Sequence, residues 1–157
     1  MSGFRRGVRL GIDVGRARIG VARCDPDGML AVPVETVARS DDSLDRISQL
    51  ADEFAPLEFV VGLPVNLQGT DTASTADARS FASALQHRTG VPVRLVDERL
   101  STVSAHAALR SSGRNQKNSR SIVDQVAAVV LLQQAIDMEK STGNPAGAAV
   151  PFDEEHP

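Results

Sequence analysis

The feature that most constrains this chain is the crowding of strand signals near its start. Residues 8–15 and 18–24 both read as strands of apolar and small residues, and only Arg16 and Ala17 lie between them. A parallel crossover needs a dozen or more residues, so these two runs form an antiparallel hairpin. Asp25-Pro26-Asp27-Gly28 is a second turn signal, and the Val-rich run at residues 31–37 continues the meander as a third strand. No helix fits among these strands, which excludes a flavodoxin-like sheet.

Beyond residue 38 the period of the pattern changes. Ser40 or Asp41 is placed to cap a helix whose Leu44, Ile47, Ala51 and Phe54 recur at helical spacing before Pro56 stops it. Residues 58–62 read as a short apolar strand, and a polar loop at residues 63–73 leads into a helix with Ala78, Phe81, Ala82 and Leu85 on one side, ending at Gly90. A fifth strand follows at residues 91–97. Ser101 or Thr102 caps a short helix through about residue 110, and the polar string at residues 111–119, SSGRNQKNS, is expected to be a mobile basic loop. Residues 121–139 form a last helix, apolar on most of its central turns and therefore buried. The Pro/Gly/Ala-rich remainder from residue 141, with Asp153-Glu154-Glu155, is expected to be a disordered acidic tail (141–157) behind a single domain (1–140).

The order β-β-β-α-β-α-β-α predicts an α/β fold, a mixed five-stranded sheet with helices on both faces, in the ribonuclease H-like arrangement.

Composition narrows the function. With 41% hydrophobic and 24% charged residues the chain can bury one core. It has no Trp or Tyr and only five Phe, which argues against RNA binding by aromatic stacking. A lone cysteine, Cys24, forms no internal disulfide and reads as a small buried apolar residue of a reducing compartment. The longest apolar run, residues 126–132, is far short of the roughly 20 residues that span a bilayer, and residues 1–9 lack the features of a secretory signal. A cytoplasmic location is expected.

The net charge of −3 hides a partition. Residues 1–23 carry six Arg against one Asp, and residues 99–123 carry five basic residues and no acid, whereas residues 24–58 hold nine acids against two Arg. Fifteen of the 17 basic residues are Arg, which grips phosphate bidentately. Arg16 and Arg18 in the first basic segment, and Arg99, Arg110, Arg114, Lys117 and Arg120 in the second, are candidate phosphate contacts; the alternative is a solvated surface. Asn66, Thr70 and Thr72 in the GLPVN loop can contact a nucleic-acid backbone, or that loop is turn chemistry with a cap for the next helix.

Acids fall where strands end. Asp13 closes the first strand, Asp97 and Glu98 close the fifth, and Asp124 lies in the first turn of the last helix, with Ala127 and Ala128 leaving little bulk beside it. Singly, each acid can be a turn former, an ion-pair partner or a helix-dipole residue. Together, carboxylates about 5 Å apart repel by roughly 3 kcal/mol at an effective dielectric of 20, a repulsion relieved by a raised pKa or by a divalent cation. Hard oxygen ligands select Mg²⁺ or Mn²⁺, and two such ions would activate a water and stabilise the leaving oxygen of a phosphodiester. His87, His106 and His156 have no metal-ligand spacing.

The blocks GIDVGRARIGVA (11–22), VVGLPVNLQGT (60–70), VDERLSTVSA (96–105) and DQVAAVVLL (124–132), in this order and spacing, closely resemble the YqgF/RuvX family. The resemblance runs from about Val8 to Gln134. It implies a ribonuclease H-like fold and a divalent-metal endonuclease that matures the 5′ end of pre-16S ribosomal RNA, resolves Holliday junctions, or does both, as a monomer or homodimer. It puts the acidic residues that carry catalysis and metal on Asp13, Glu98 and Asp124. The usually lysine-rich approach to the last acid is here Lys117-Asn118-Ser119-Arg120. Two other classes stand beside it: a nucleotide-binding module, since DxG and a glycine-containing hairpin also resemble the actin and sugar-kinase phosphate loop, and a non-catalytic ribosome-assembly module. The first pairs two domains around ATP, and this chain supplies one.

Overall fold

A computed structural model describes residues 4–64, 72–97 and 116–152, with residues 116–124 by backbone alone. The elements run β1 (Arg9–Val14), β2 (Arg18–Cys24), β3 (Ala31–Ala38), α1 (Ser43–Phe54), β4 (Glu58–Leu63), α2 (Ala73–Thr89), β5 (Val93–Asp97), α3 (Gln116–Thr142) and β6 (Ala148–Ala149). They form one sheet in the order β3-β2-β1-β4-β5-β6. The meander β1-β2-β3 is antiparallel, β1, β4 and β5 are mutually parallel, and β6 is antiparallel to β5.

The sheet's pleat divides the core. Leu10, Ile12, Ile19, Val21, Phe59 and Val61 pack with Ile47 and Leu50 of α1 and Phe81 and Leu85 of α2. Ala22, Cys24 and Val60 face the other way, onto Ala128, Leu131, Leu132 and Ile136 of α3. Helices therefore cover both faces. Gly11 lets α3 close on β1: a Cβ there would lie 2.9 Å from the Ala128 carbonyl oxygen and 2.9 Å from Leu132 Cβ. Cys24 is fully buried, its Sγ accepting from the Arg9 N–H at 3.3 Å, and burial pushes its thiol pKa up.

Three expectations are corrected. The sheet has six strands, because residues 143–152 do not form a disordered tail. They fold back so that β6 pairs with Arg94 and Leu95, Ala146 is buried, and the Gln86 side chain donates to the Val150 carbonyl at 2.9 Å. Arg94 spends its guanidinium on the Ala146 and Gly147 carbonyls, at 2.6 and 3.0 Å. The last helix is already formed at Gln116, so residues 116–119 are helical rather than loop. The N-cap of α1 is Asp42, not Ser40 or Asp41, and it makes no side-chain cap bond; Ser43 Oγ instead accepts from the Ser40 N–H at 2.8 Å. The expected helix at 101–110, the loop residues 111–115 and the acids at 153–155 lie outside the described residues.

The start of β1 carries an ionic cluster buried at the opposite end of the strand from Asp13. Arg9, 1% exposed, donates to Glu139 Oε2 at 3.1 Å and to the Arg5 and Gly7 carbonyls, and stacks over Phe4 at 4.3 Å. Arg5 pairs with Glu139 at 2.9 Å and Glu58 at 3.0 Å. Burial by itself would raise the Glu139 carboxyl, but the Arg5 hydrogen bonds and the charges of Arg9 and Arg5 outweigh it and hold its pKa below the usual value.

Candidate active site

Strand register brings one rung of the sheet beneath the start of α3. Asp13 pairs with Gly20, and Gly20 pairs with Thr36. Paired residues share a face, and Gly11 and its partner Ala22, two residues along, sit against α3, so Asp13 and Thr36 also take the α3 face. Gln125 Nε2 donates to Thr36 Oγ1 at 2.8 Å, which fixes the level of the helix on this rung. Asp124 is the adjacent residue, one turn before Ala128 on the same side of the helix. Two acids distant in sequence are thus carried to one edge by β1 and α3, with Gly20 adding no side chain between Asp13 and Thr36. Asp13 is half-buried there.

The parallel neighbours end at the same edge. Ile12 pairs with Val61, and Leu63 pairs with Asp97, the last residue of β5. Val96 packs on the α3 face, so Asp97 takes the opposite one. Glu98 is the next residue and lies outside the described residues, as do Asn66, Thr70, Arg99, Arg110 and Arg114. Lys117 and Arg120 fall on the first turns of α3. Among the described residues no group of three or more His, Cys, Asp or Glu is arranged to hold a metal ion.

Of the first basic segment, Arg16 is exposed on the β1–β2 turn and Arg18 opens β2. Arg5 and Arg9 belong to the buried cluster, Arg6 pairs with Asp27 at 2.8 Å, and Arg23 lies over the Phe54 ring at 5.2 Å. Thr72 is the N-cap of α2 in a reciprocal capping box with Thr75, whose hydroxyl also donates to the Pro64 carbonyl. At Thr72, then, the cap reading of the GLPVN loop holds.

Sequence reasoning missed Arg39 and Asp77. Arg39 donates to both Asp77 oxygens, at 2.9 and 2.8 Å, and to the Gly15 carbonyl at 2.9 Å, while its guanidinium lies over Phe81. It ties the turn that follows Asp13 to the first turns of α2. Hydrogen bonding from Arg39 holds the Asp77 carboxyl below its ordinary pKa. No periodicity or motif marks such a pair, since its members are far apart in sequence and meet only across the fold. The two line a cleft of about 590 Å³ together with Arg16, Ser40, Asp41 and Ala73.

The family model for RuvX, described as a Holliday junction resolvase, matches residues 7–138. The chain belongs to the RuvX family. A relative from Leifsonia xyli subsp. xyli, named "Putative pre-16S rRNA nuclease", is 59% identical to this RuvX chain over 149 residues, spanning 94% of it and 96% of the relative. One of the same name from Streptomyces coelicolor is 52% identical over 150 residues, spanning 94% and 90%. Among solved structures, Thermus thermophilus RuvC in complex with a Holliday junction substrate aligns over 88% of this chain and 98% of its own, with a TM-score of 0.56 at 18% identity. This likeness establishes the ribonuclease H-like fold expected from the order of elements. Among the described residues no helix is long and apolar enough to cross a membrane.

Proposed function

We propose that this RuvX-family chain is an endonuclease of the cytoplasm that hydrolyses phosphodiester bonds in structured nucleic acid, with the 5′ end of pre-16S ribosomal RNA as its substrate. The observation that supports the reading is that Asp13 ends β1 on the rung which Gln125 of α3 reaches through Thr36, and Asp124 is the residue before Gln125 in that helix. The substrate follows from the names of relatives that match this chain nearly end to end.

The donor set suits Mg²⁺ or Mn²⁺. Asp13, Glu98 and Asp124 would be hard carboxylate ligands with no histidine or thiolate among them. When bound, a pair of such ions supplies an activated water and stabilises the leaving oxygen. The residues' own part is to hold negative charge at one edge and to align the substrate. Carboxylates alone would repel a polyanion, so Arg16, Arg18, Arg99, Arg110, Arg114, Lys117 and Arg120 would hold phosphates on either side, with Asn66 and Thr70 contributing neutral donors.

Holliday junction cleavage is the second reading, favoured by the description of the family model. Purified protein offered a pre-16S 5′-leader RNA and a four-way DNA junction side by side, with Mg²⁺, tests both. Cleavage of the RNA at a defined site is the expected result, and exclusive cutting of the junction would replace the RNA reading. The protein's mass in solution goes with it, because symmetric cuts on two strands call for a homodimer and a single RNA cut needs only a monomer.

A further inference from the structure

The cleft lined by Arg16, Arg39, Ser40, Asp41, Ala73 and Asp77 lies between the β1–β2 turn, the β3–α1 connection and the first turn of α2, at the end of the sheet that carries Asp13 but on the side covered by α1 and α2, across the sheet from α3. Its formal charges cancel, whereas a seat for phosphate alone would be net positive. Arg39 and Asp77 are moreover spent on each other. What remains for a ligand is one cation and one carboxylate. Arg16 and Asp41 are exposed, and among the described residues neither forms an ion pair, though the charge of Arg16 is felt at Asp77. Ser40 Oγ accepts from the Asp42 N–H at 3.1 Å, which leaves its hydroxyl proton to donate. The volume, about 590 Å³, falls within the roughly 300–1,000 Å³ of small-ligand sites and so takes about one nucleotide, not a duplex.

A partner that offers an anion and a hydroxyl donor within one unit is a ribonucleotide. Its phosphate suits Arg16, and its 2′-hydroxyl suits a carboxylate that otherwise faces a polyanion uncompensated. A deoxyribonucleotide brings the phosphate without the donor. We propose that this cleft seats one ribonucleotide of the substrate strand, Arg16 on its phosphate and Asp41 accepting from its 2′-hydroxyl, so that the cleft selects RNA over DNA. The inference rests on the nuclease reading and deepens it.

The test is fluorescence anisotropy of the full chain, in chelator so that nothing is cut, with a stem-loop RNA and the DNA stem-loop of the same sequence. Wild type should bind the RNA about tenfold more tightly, the worth of one hydrogen bond to a charged group. Asp41→Ala should bring that ratio close to one by weakening RNA binding alone. Arg16→Ala should weaken both ligands about equally and leave the ratio intact. Equal wild-type affinities, an unchanged ratio in Asp41→Ala, or unaltered binding in Arg16→Ala overturns the proposal. Wild-type cleavage with Mg²⁺, run in parallel, separates the two levels. Cutting without ribose preference removes only the cleft's role, and failure to bind or cut either ligand removes the nuclease reading with it.

Discussion

Asp13 and Arg9 sit on the same strand and illustrate what single residues disclose. Asp13 was legible because a strand followed by DVG and an immediate turn leaves its acid at an edge, and Asp13→Asn, Glu98→Gln and Asp124→Asn are each expected to lower cleavage by at least about a hundredfold, the upper cost of losing a mere supporting group, without lowering Tm. Wild-type turnover in any of them removes that residue from the site. Chelation should abolish activity, and Mg²⁺ or Mn²⁺ should restore it, with Ca²⁺ a poor substitute; full turnover in excess chelator would refute the metal chemistry. Arg9 was not legible: its charge counts with the basic segment, yet its partners Glu58 and Glu139 come from distant elements. Glu139→Gln should destabilise by about 3–5 kcal/mol, because it strips the buried Arg9 guanidinium of its nearer counter-charge and leaves only Glu58 at 3.9 Å. Since the Glu139 pKa is lowered on folding, its contribution is complete above the ordinary carboxylate range and is lost as pH falls through the folded value. Melting curves of wild type from pH 7 to 3 should therefore fall more steeply than those of Glu139→Gln, and parallel profiles would contradict this.

At the level of elements, the strongest lever on the site is the closeness of α3 to β1. Gly11→Ala places a methyl 2.9 Å from the Ala128 carbonyl oxygen, a backbone atom that moves only with its helix. Overpacking of this kind costs about 1–3 kcal/mol, and it should lower cleavage as well as Tm by lifting Asp124 off the rung of Asp13; an unchanged Tm would show that the helix has slack. The start of α3 bears on binding. If Arg114 and Lys117 neutralise phosphates, replacing both by Ala should flatten the log-log salt dependence of affinity by up to about 2 and change the saturated cleavage rate less, whereas a solvated segment predicts neither effect. Most element bounds were readable from apolar period and turn residues, but two were not. Once the apolar stretch of α3 has nucleated a helix, each added polar residue is cheap, and Gln116 and Lys117 are good helix formers, so the helix outruns its apolar pattern. Ala148–Ala149 is too short to show alternation, and β6 exists because the β5 edge is there to receive it.

Taken whole, the molecule has two poles. The buried cluster of Arg5, Arg9, Glu58 and Glu139 pins β1, β4 and α3 at one end of the strands, while Asp13 and the cleft occupy the other. The fold could be anticipated, as could the place of Asp13 at the end of its strand, because both follow from local pattern and motif. The cleft could not, since it exists only where a turn, a connection and a helix end meet. On the proposed function, the division separates what keeps the chain folded from what it does, so changes at the Asp13 end should alter substrate choice at little cost to stability. The margins of the sheet carry a consequence of another kind. β6 overlays β5 on one side, and on the other β3 contains Pro33, which has no N–H to offer, next to a register shift in its pairing with β2. Among the described residues neither rim is a good template for a further strand, so two copies that meet on a symmetric substrate are not expected to zip together through these edges. Such a pair would be held by side chains or by the nucleic acid itself, and it would come apart when the substrate leaves.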